Sequence, residues 1–186
     1  MKNDRRIKKT KEAIYSAFSE LIEKKELRKI SVQELCEAAD IHRATFYYHY
    51  QDIYDLYEKI EAEVTTEIEA ILDEARAQNY QEIYLKIAGA VKEKLPFWQM
   101  LLGENAPGNF VRHIEKVLAE KFLAIWQYET GKMEYSPEFR LLLAASVAAF
   151  TAVVVNWIKD GCPENNMVDI LRDLDDGFDA VLERYL

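Results

Sequence analysis

The segment 39–56 combines hydrogen-bonding and aromatic side chains in a way that predicts contact with another molecule. It reads ADIHRATFYYHYQDIYDL and contains one arginine, two histidines and four tyrosines. A short helix is predicted over about 42–48. The side chains that helical spacing turns outward are Arg43, Ala44, Tyr47 and Tyr48. Such an outward set of polar and aromatic side chains predicts contact with a molecule outside the protein.

A helix-turn-helix unit would position these side chains. Ser31 is the predicted cap of a first helix, in which Val32, Leu35 and Cys36 repeat at helical spacing. Asp40 then occupies a tight turn that usually takes Gly, and Asp is among the few other residues that tolerate a positive φ. Units of this shape place their second helix in the major groove of DNA.

The run Ile41–Tyr50, followed by Asp52 and Leu56, resembles the recognition helix of the TetR family of bacterial transcriptional regulators. The resemblance extends back through Ser31–Leu35 into the first helix and covers the N-terminal part of the chain. Beyond it, the chain matches the family only as an all-helical protein of suitable length.

The resemblance implies a role for each matching residue. Arg43 and Ala44 would meet base edges, with Gln33 reaching in from the preceding helix. Lys9 and the amide end of the Ser31 helix would hold the phosphate backbone, and the remaining contacts would be divided between phosphates and bases. The complete implied set is Lys9, Ser31, Val32, Gln33, Arg43, Ala44, Thr45, Tyr47, Tyr48 and His49.

Three positions depart from the family pattern. Asp40 stands where Gly is usual, and His42 stands where Ser or Thr is usual. Ile53 replaces a Lys that binds phosphate, which removes one expected anchor on the DNA backbone. A basic segment at the N-terminus could compensate for that loss.

Charge is distributed unevenly along the chain. The formal net charge is −9, but residues 1–60 carry 12 Lys or Arg and 11 Asp or Glu, a net of +1 that leaves −10 for the rest. Phosphate contacts supply much of the affinity for DNA. We therefore interpret the N-terminal basic residues as a phosphate-binding arm, and a solvated tail is the alternative. The arm consists of Lys2, Arg5, Arg6, Lys8, Lys9 and Lys11, with Asp4 as its one acid.

Length and composition predict an all-α protein. The chain has 186 residues, enough to bury a sizeable core, and only 6 Gly and 4 Pro. We predict a three-helix helix-turn-helix DNA-binding head at residues 1–50 and a helical ligand-binding and dimerisation body at residues 51–186. A long helix from Asp52 to about Gln78 would join them, either as a pivoting rod or as a plain link.

Enzyme activity is not predicted. His42, His49 and His113 lack the spacing of a catalytic pair or metal site, and no glycine loop could hold a phosphate. No cofactor or metal is expected. Cys36 and Cys162 are far apart and predict reduced thiols. No secretion leader is apparent, so we expect a cytoplasmic protein.

The most apolar stretch lies near the C-terminus. Residues 136–138, Ser-Pro-Glu, match a helix start, and no charged residue occurs between Arg140 and Lys159. Such a stretch raises the question of a membrane span. A Ser, a Thr and an Asn interrupt it, so we predict instead a helix buried between its own body and a partner, with no membrane contact.

The last helix, predicted over 164–185, has apolar residues at alternating four- and three-residue steps, which form a seam for another helix. The last two helices would make a four-helix interface in a two-fold homodimer, as the resemblance also implies. Packing of both within one protomer is the alternative. The predicted interface residues are Phe150, Val154, Met167, Leu171, Leu174 and Phe178.

Aromatic residues of the body predict a mostly apolar pocket for a small-molecule effector. The same residues could instead form core, since aromatic stripes on helices are more often core, and a lone His is more often a surface or core residue. The predicted lining is Tyr84, Trp98, His113, Phe122, Trp126, Phe150 and Trp157.

Together these features favour a dimeric, ligand-responsive regulator that binds a palindromic operator in double-stranded DNA, a repressor by family habit. The competing hypothesis is a helical protein-interaction adaptor that keeps the same scaffold without reading DNA. The two hypotheses differ in what they require of the surface. An adaptor would need neither the outward-facing side chains of Arg43, Tyr47 and Tyr48 nor the basic arm.

Overall fold

The computed structural model describes residues 2–74, 80–164 and 167–185. Within these ranges the chain forms nine α-helices, two 3-10 turns at Leu27–Lys29 and Glu183–Tyr185, and no β-strand. This confirms the all-α prediction. The helices are α1 (Lys2–Lys24), α2 (Val32–Ala38), α3 (Arg43–His49), α4 (Ile53–Glu74), α5 (Tyr80–Glu93), α6 (Leu95–Leu101), α7 (Phe110–Thr130), α8 (Pro137–Lys159) and α9 (Met167–Leu182).

Some helix ends differ from the sequence predictions: the last helix, predicted over 164–185, spans Met167–Leu182. Leu95–Leu101 form the short helix α6, with Pro96 in its first turn. A first-turn proline is tolerated because its missing amide would have no partner in the helix. The predicted helix end near Gln78 and the predicted start at Asn79 lie outside the described residues.

The chain divides into two compact units. The first contains residues 1–64 and 96–108, and the second contains residues 65–95 and 109–186. The boundary predicted between residues 50 and 51 lies within the first unit. The first half of α4 belongs to this unit, and near its end the Glu63 Oε1 lies 3.0 Å from the Lys11 Nζ of α1.

The first unit is built around the apolar face of α1. Ile14, Phe18 and Ile22 follow one another at four-residue steps and are buried, as the periodicity predicts. α2 packs against both α1 and α3. Leu35 of α2 and Phe46 of α3 are buried completely, and Cys36 of α2 is also buried, so apolar side chains hold both short helices in the core.

α6 and the loop after it also belong to the first unit. The Tyr15 ring meets the Phe97 ring edge-on, with centroids 5.3 Å apart. The Ser19 hydroxyl donates to the Met100 sulfur at 3.8 Å. A segment that lies between α5 and α7 in sequence thus packs against α1.

The second unit contains the C-terminal helices. α8 begins as predicted, because the Ser136 hydroxyl accepts the Phe139 amide at 3.1 Å with Pro137 in the first turn. α8 packs against α7 and α9. Tyr135, Phe139, Leu143 and Leu182 form a buried cluster, with Phe122, Leu123, Trp126 and Leu142 packed against it.

α8 is the one helix in the described ranges that is long and apolar enough to cross a membrane by length and composition. One side of it is buried within the second unit through residues such as Phe139, Val147 and Ile158. Burial of its other side, as the sequence predicts, would need a second chain. That exposed side carries Leu141, Ala144, Ala145, Ala148 and Ala152.

Candidate nucleic-acid interface

The start of α2 is capped by Ser31. The Ser31 backbone is extended, with φ −100° and ψ 149°, and its hydroxyl accepts the amide of Glu34 at 3.2 Å. This is the geometry of an N-cap, and it leaves Ser31 exposed at the positive end of the helix dipole. Ser31 and Val32 thus form the N-terminal end of α2, for which a phosphate contact was predicted. The phosphate contact itself stays a prediction.

The turn between α2 and α3 depends on Asp40. Asp40 has φ 51°, in the left-handed region, as its place in the turn predicts. The amide of Ile41 then donates to the Cys36 carbonyl at 3.0 Å and closes the turn. α3 begins one residue later than predicted, since His42 is extended and serves as the N-cap without a side-chain hydrogen bond.

α3 presents two different faces. Phe46 is completely buried and anchors the helix, and its ring packs edge-on against Tyr47 at 5.6 Å. On the other face Tyr47 is 57% and Tyr48 79% exposed. Arg43 and Ala44 are exposed as well, whereas Thr45 and His49 are half-buried. The residues predicted to face outward therefore do so.

The structure joins the two helices of the motif through three side chains. The Arg43 guanidinium donates a hydrogen bond to the Gln33 side-chain oxygen. The Gln33 side-chain nitrogen in turn donates to the Glu37 carboxylate at 2.9 Å. Gln33 and Arg43, ten positions apart in the chain, thus form one hydrogen-bonded group. Sequence reasoning did not assign Glu37, although its i,i+4 spacing from Gln33 on α2 is a usable signal.

A groove of about 700 Å³ runs beside this group. Arg6 and Thr10 of α1 line it together with Gln33, Glu37 and Arg43. The basic N-terminal turns of α1 therefore adjoin the residues predicted to contact bases. One DNA duplex could therefore contact both α1 and α3.

The predicted basic arm is the N-terminal part of α1. Arg5, Arg6, Lys8 and Lys9 are exposed. The Lys11 ammonium forms an ion pair with Glu63, and that hydrogen bond raises its pKa. The phosphate-binding role of the arm stays a prediction.

Position 53, at the start of α4, is the one where the family pattern has a phosphate-binding Lys. Ile53 is only 4% exposed, so this position is part of the core. Asp52 accepts the amide of Asp55 at 2.9 Å, and the Asp55 carboxylate accepts the amide of Gln51 at 2.8 Å. This reciprocal pair resembles a capping box in which the second bond goes to the amide of Gln51 instead of that of Asp52.

Lys59 is a residue that the sequence reasoning missed. Its ammonium donates to the His49 carbonyl at 3.0 Å and to the Asp55 carboxylate at 2.9 Å, and it lies 5.2 Å from the Tyr50 ring centroid. It therefore fastens the end of α3 to α4. Burial, with the charges of Lys11 and Lys59, lowers the pKa of His49.

The residues of the predicted effector pocket separate into different surroundings. Tyr84 and Phe150 stack at 5.9 Å, and Phe122 lies 6.3 Å from Phe150. His113 is exposed. Trp98 belongs to the first unit, whereas the other six belong to the second.

The remaining two residues of the set pack locally. Trp126 meets Phe139 edge-on at 5.7 Å. The Trp157 indole donates to the Pro163 carbonyl at 3.0 Å, and Lys92 lies 5.7 Å from its ring. Each of these aromatic rings has core contacts of its own.

The residues of the predicted dimer interface also divide. Phe150, Met167 and Leu171 are buried within the protomer and have little side-chain surface for a partner. Val154, Leu174 and Phe178 are half-buried. The exposed residues of α8 and α9 include several small residues with Leu141 and Ile170, and also the charged Arg140, Asp173 and Asp176.

Comparison with known proteins identifies the class to which this fold belongs. Residues 78–174 match a TetR family model described as a transcriptional regulator C-terminal region. The match covers more than half of the chain, which belongs to the TetR family of transcriptional regulators. Its members are regulators, so the family agrees with the prediction that the chain is not an enzyme.

Solved structures share the fold along nearly the whole chain. The dihydroxyacetone kinase operon activator DhaS is 21% identical, with a TM-score of 0.63 over 95% of this chain and 97% of its own. A TetR transcriptional regulator from Streptococcus agalactiae is 22% identical, with a TM-score of 0.62 over 98% of both chains. NalD, a secondary repressor of the MexAB-OprM multidrug efflux pump in Pseudomonas aeruginosa, is 16% identical, with a TM-score of 0.66 over 92% and 97%. No curated protein matches by sequence.

Proposed function

We propose that the chain is a cytoplasmic regulator that binds a palindromic operator as a homodimer and responds to a small molecule. The observation that carries the proposal is the exposed face of α3. Arg43, Ala44, Tyr47 and Tyr48 are all exposed on it, above a buried Phe46. A helical adaptor has no need for such a face beside a basic helix end.

DNA recognition would combine two kinds of contact. Arg43, Ala44 and Gln33 would read base edges in the major groove. Ser31, Val32 and Lys9 would bind phosphates, and the exposed Tyr47 and Tyr48 with Thr45 and His49 would add contacts to both. Two copies of α3 would then enter successive major grooves, about 34–36 Å apart on one face of the duplex.

The dimer would form through the outer surfaces of α8 and α9. Ala145, Ala148 and Ala152 repeat along the exposed side of α8, and Ile170 and Gly177 lie on the exposed side of α9. Small side chains allow helix axes to approach closely, and a two-fold axis would place the same surface on both partners. Val154, Leu174 and Phe178 stay in the proposed contact at its edges.

The effector would bind in the second unit, among rings such as Tyr84, Phe122 and Phe150. We infer a mostly apolar small molecule because aromatic side chains dominate this region. Binding would alter DNA affinity by favouring one conformation of the regulator over another. We expect a repressor, by family habit.

Genomic selection tests the DNA-binding proposal directly. Fragments of the source genome would be incubated with the purified chain, and the retained fragments would be sequenced. We expect enrichment of promoter fragments that share an inverted repeat. A chain that enriches no sequence above a control without protein would favour the adaptor.

A further inference from the structure

We propose that Glu37 is a positioning residue that sets base preference without touching DNA. The Glu37 carboxylate accepts a hydrogen bond from Gln33, and Gln33 accepts one from Arg43. This inference rests on the proposed function, because it concerns how Gln33 and Arg43 read bases. It assigns a role to a residue that would otherwise be an ordinary exposed acid on α2.

The chemistry of the three groups allows one arrangement of the Gln33 amide. A guanidinium can only donate hydrogen bonds, and an ionised carboxylate can only accept them. The Gln33 oxygen must therefore face Arg43 and its nitrogen must face Glu37. In the flipped orientation the Gln33 nitrogen would face Arg43 and the oxygen would face Glu37, so neither hydrogen bond could form.

The consequence concerns what the pair offers to a base. The Gln33 nitrogen has two hydrogens and gives one to Glu37, so one donor remains. Arg43 keeps the donors that it does not give to Gln33. Both side chains then present donors, which match the two adjacent acceptors on the major-groove edge of guanine. A flipped amide would instead present an acceptor, which suits adenine or cytosine amino groups.

The second consequence is that the side chains of Gln33 and Arg43 are ordered before DNA binds. Gln33, Glu37 and Arg43 are all exposed, so no packing fixes their rotamers. The hydrogen bonds hold two long side chains in place before DNA arrives, which reduces the entropy lost on binding. Without Glu37 the amide keeps only Arg43 as an anchor.

The test uses the full chain and the duplex that wild-type protein selects from a random library. Dissociation constants would be measured at one salt concentration for that duplex and for each of its single-base-pair variants. The variants are Glu37→Gln and Glu37→Ala. The matched control is Glu34→Gln, which removes the same charge from the same helix but whose carboxylate pairs with Lys25 instead of Gln33. We expect all three to fold, since Glu37 is exposed and Glu34→Gln keeps the size and shape of its side chain.

We expect both Glu37 variants to lose discrimination by about 2- to 12-fold, the equivalent of one hydrogen bond, at the base pairs where Arg43→Ala also loses it. Discrimination elsewhere, and the whole profile of Glu34→Gln, should match wild type. A uniform change in affinity with discrimination intact would overturn the assignment of Glu37. If the wild-type protein selects no sequence, the proposed function fails and the assignment of Glu37 fails with it. If the wild-type protein selects a sequence but the Glu37 variants keep its profile, the assignment of Glu37 fails and the proposed function survives.

Discussion

The Asn105 side-chain amide donates a hydrogen bond of 2.9 Å to the main-chain oxygen of Ile22, 83 positions earlier in the chain. The same side-chain amide donates to the main-chain oxygen of Glu23 at 3.1 Å, and the main-chain carbonyl of Asn105 accepts the Leu27 amide at 3.3 Å. The last carbonyls of a helix have no partner within that helix. The loop after α6 therefore supplies the cap of α1.

Removing this cap should destabilise the protein. We expect Asn105→Ala to lower the free energy of unfolding by about 1–2 kcal/mol, since two carbonyls lose their donor. Urea denaturation followed by circular dichroism would measure the change. Glu104→Ala, at the exposed neighbouring position, is the control. Equal stability of the two variants would show that Asn105 does not serve as a cap.

The left-handed backbone of Asp40 predicts opposite outcomes for two small substitutions. Asp40→Ala should cost about 1–2 kcal/mol because a Cβ is strained at positive φ. Asp40→Gly should be close to neutral, because glycine adopts this conformation freely. Thermal unfolding of both variants would compare them. Asp40 is exposed, so an alanine variant as stable as the glycine variant would argue against the strain.

Two substitutions should separate base reading from phosphate binding. Arg43→Ala should weaken binding to the selected operator by about 1–3 kcal/mol and relax preference at one base pair, whereas Lys9→Ala should weaken all sequences alike. The slope of log affinity against log salt should fall by about 1 for Lys9→Ala. Fluorescence anisotropy at several salt concentrations measures both effects. A salt-independent affinity would contradict phosphate binding.

Charge on the exposed side of α8 should prevent dimerisation. Ala148→Glu places a carboxylate in the proposed interface, where each copy would face the other near the two-fold axis. We expect sedimentation equilibrium to give the mass of a monomer. Leu85→Glu, on the exposed side of α5, is the control and should remain dimeric. A dimeric Ala148→Glu variant would remove this surface from the interface.

Asp175 on α9 should make the second unit less stable as pH rises. Burial and the neighbouring charge of Asp179 raise the pKa of Asp175 to about 6. Folding then favours the protonated form, so the associated stability is present below the unfolded value of about 3.9 and is lost as pH rises through about 6. We expect Asp175→Asn to raise the melting temperature more at pH 7.5 than at pH 5. Asp173→Asn, at an exposed position, should show no such difference.

Short-range features of this protein could be predicted from sequence because each depends on a few neighbouring residues. The Ser31 cap, the Ser136 cap and the positive φ of Asp40 are set by side chains within about four positions and by local sterics. The outward face of α3 follows from helical periodicity around Phe46. The family resemblance then added the roles of these residues.

Long-range pairings were decided only by the tertiary structure. Periodicity shows that a side chain is buried or exposed, but it does not show which distant helix covers it. The Lys11 ion pair with Glu63 spans 52 positions, and the Asn105 cap spans 83. The Glu37 contact with Gln33 is local, but Arg43 reaches the same Gln33 amide only through the turn between α2 and α3. Sequence thus determined which residues of α3 are exposed, and the folded chain decided what holds α3 in place, because that depends on contacts between distant segments.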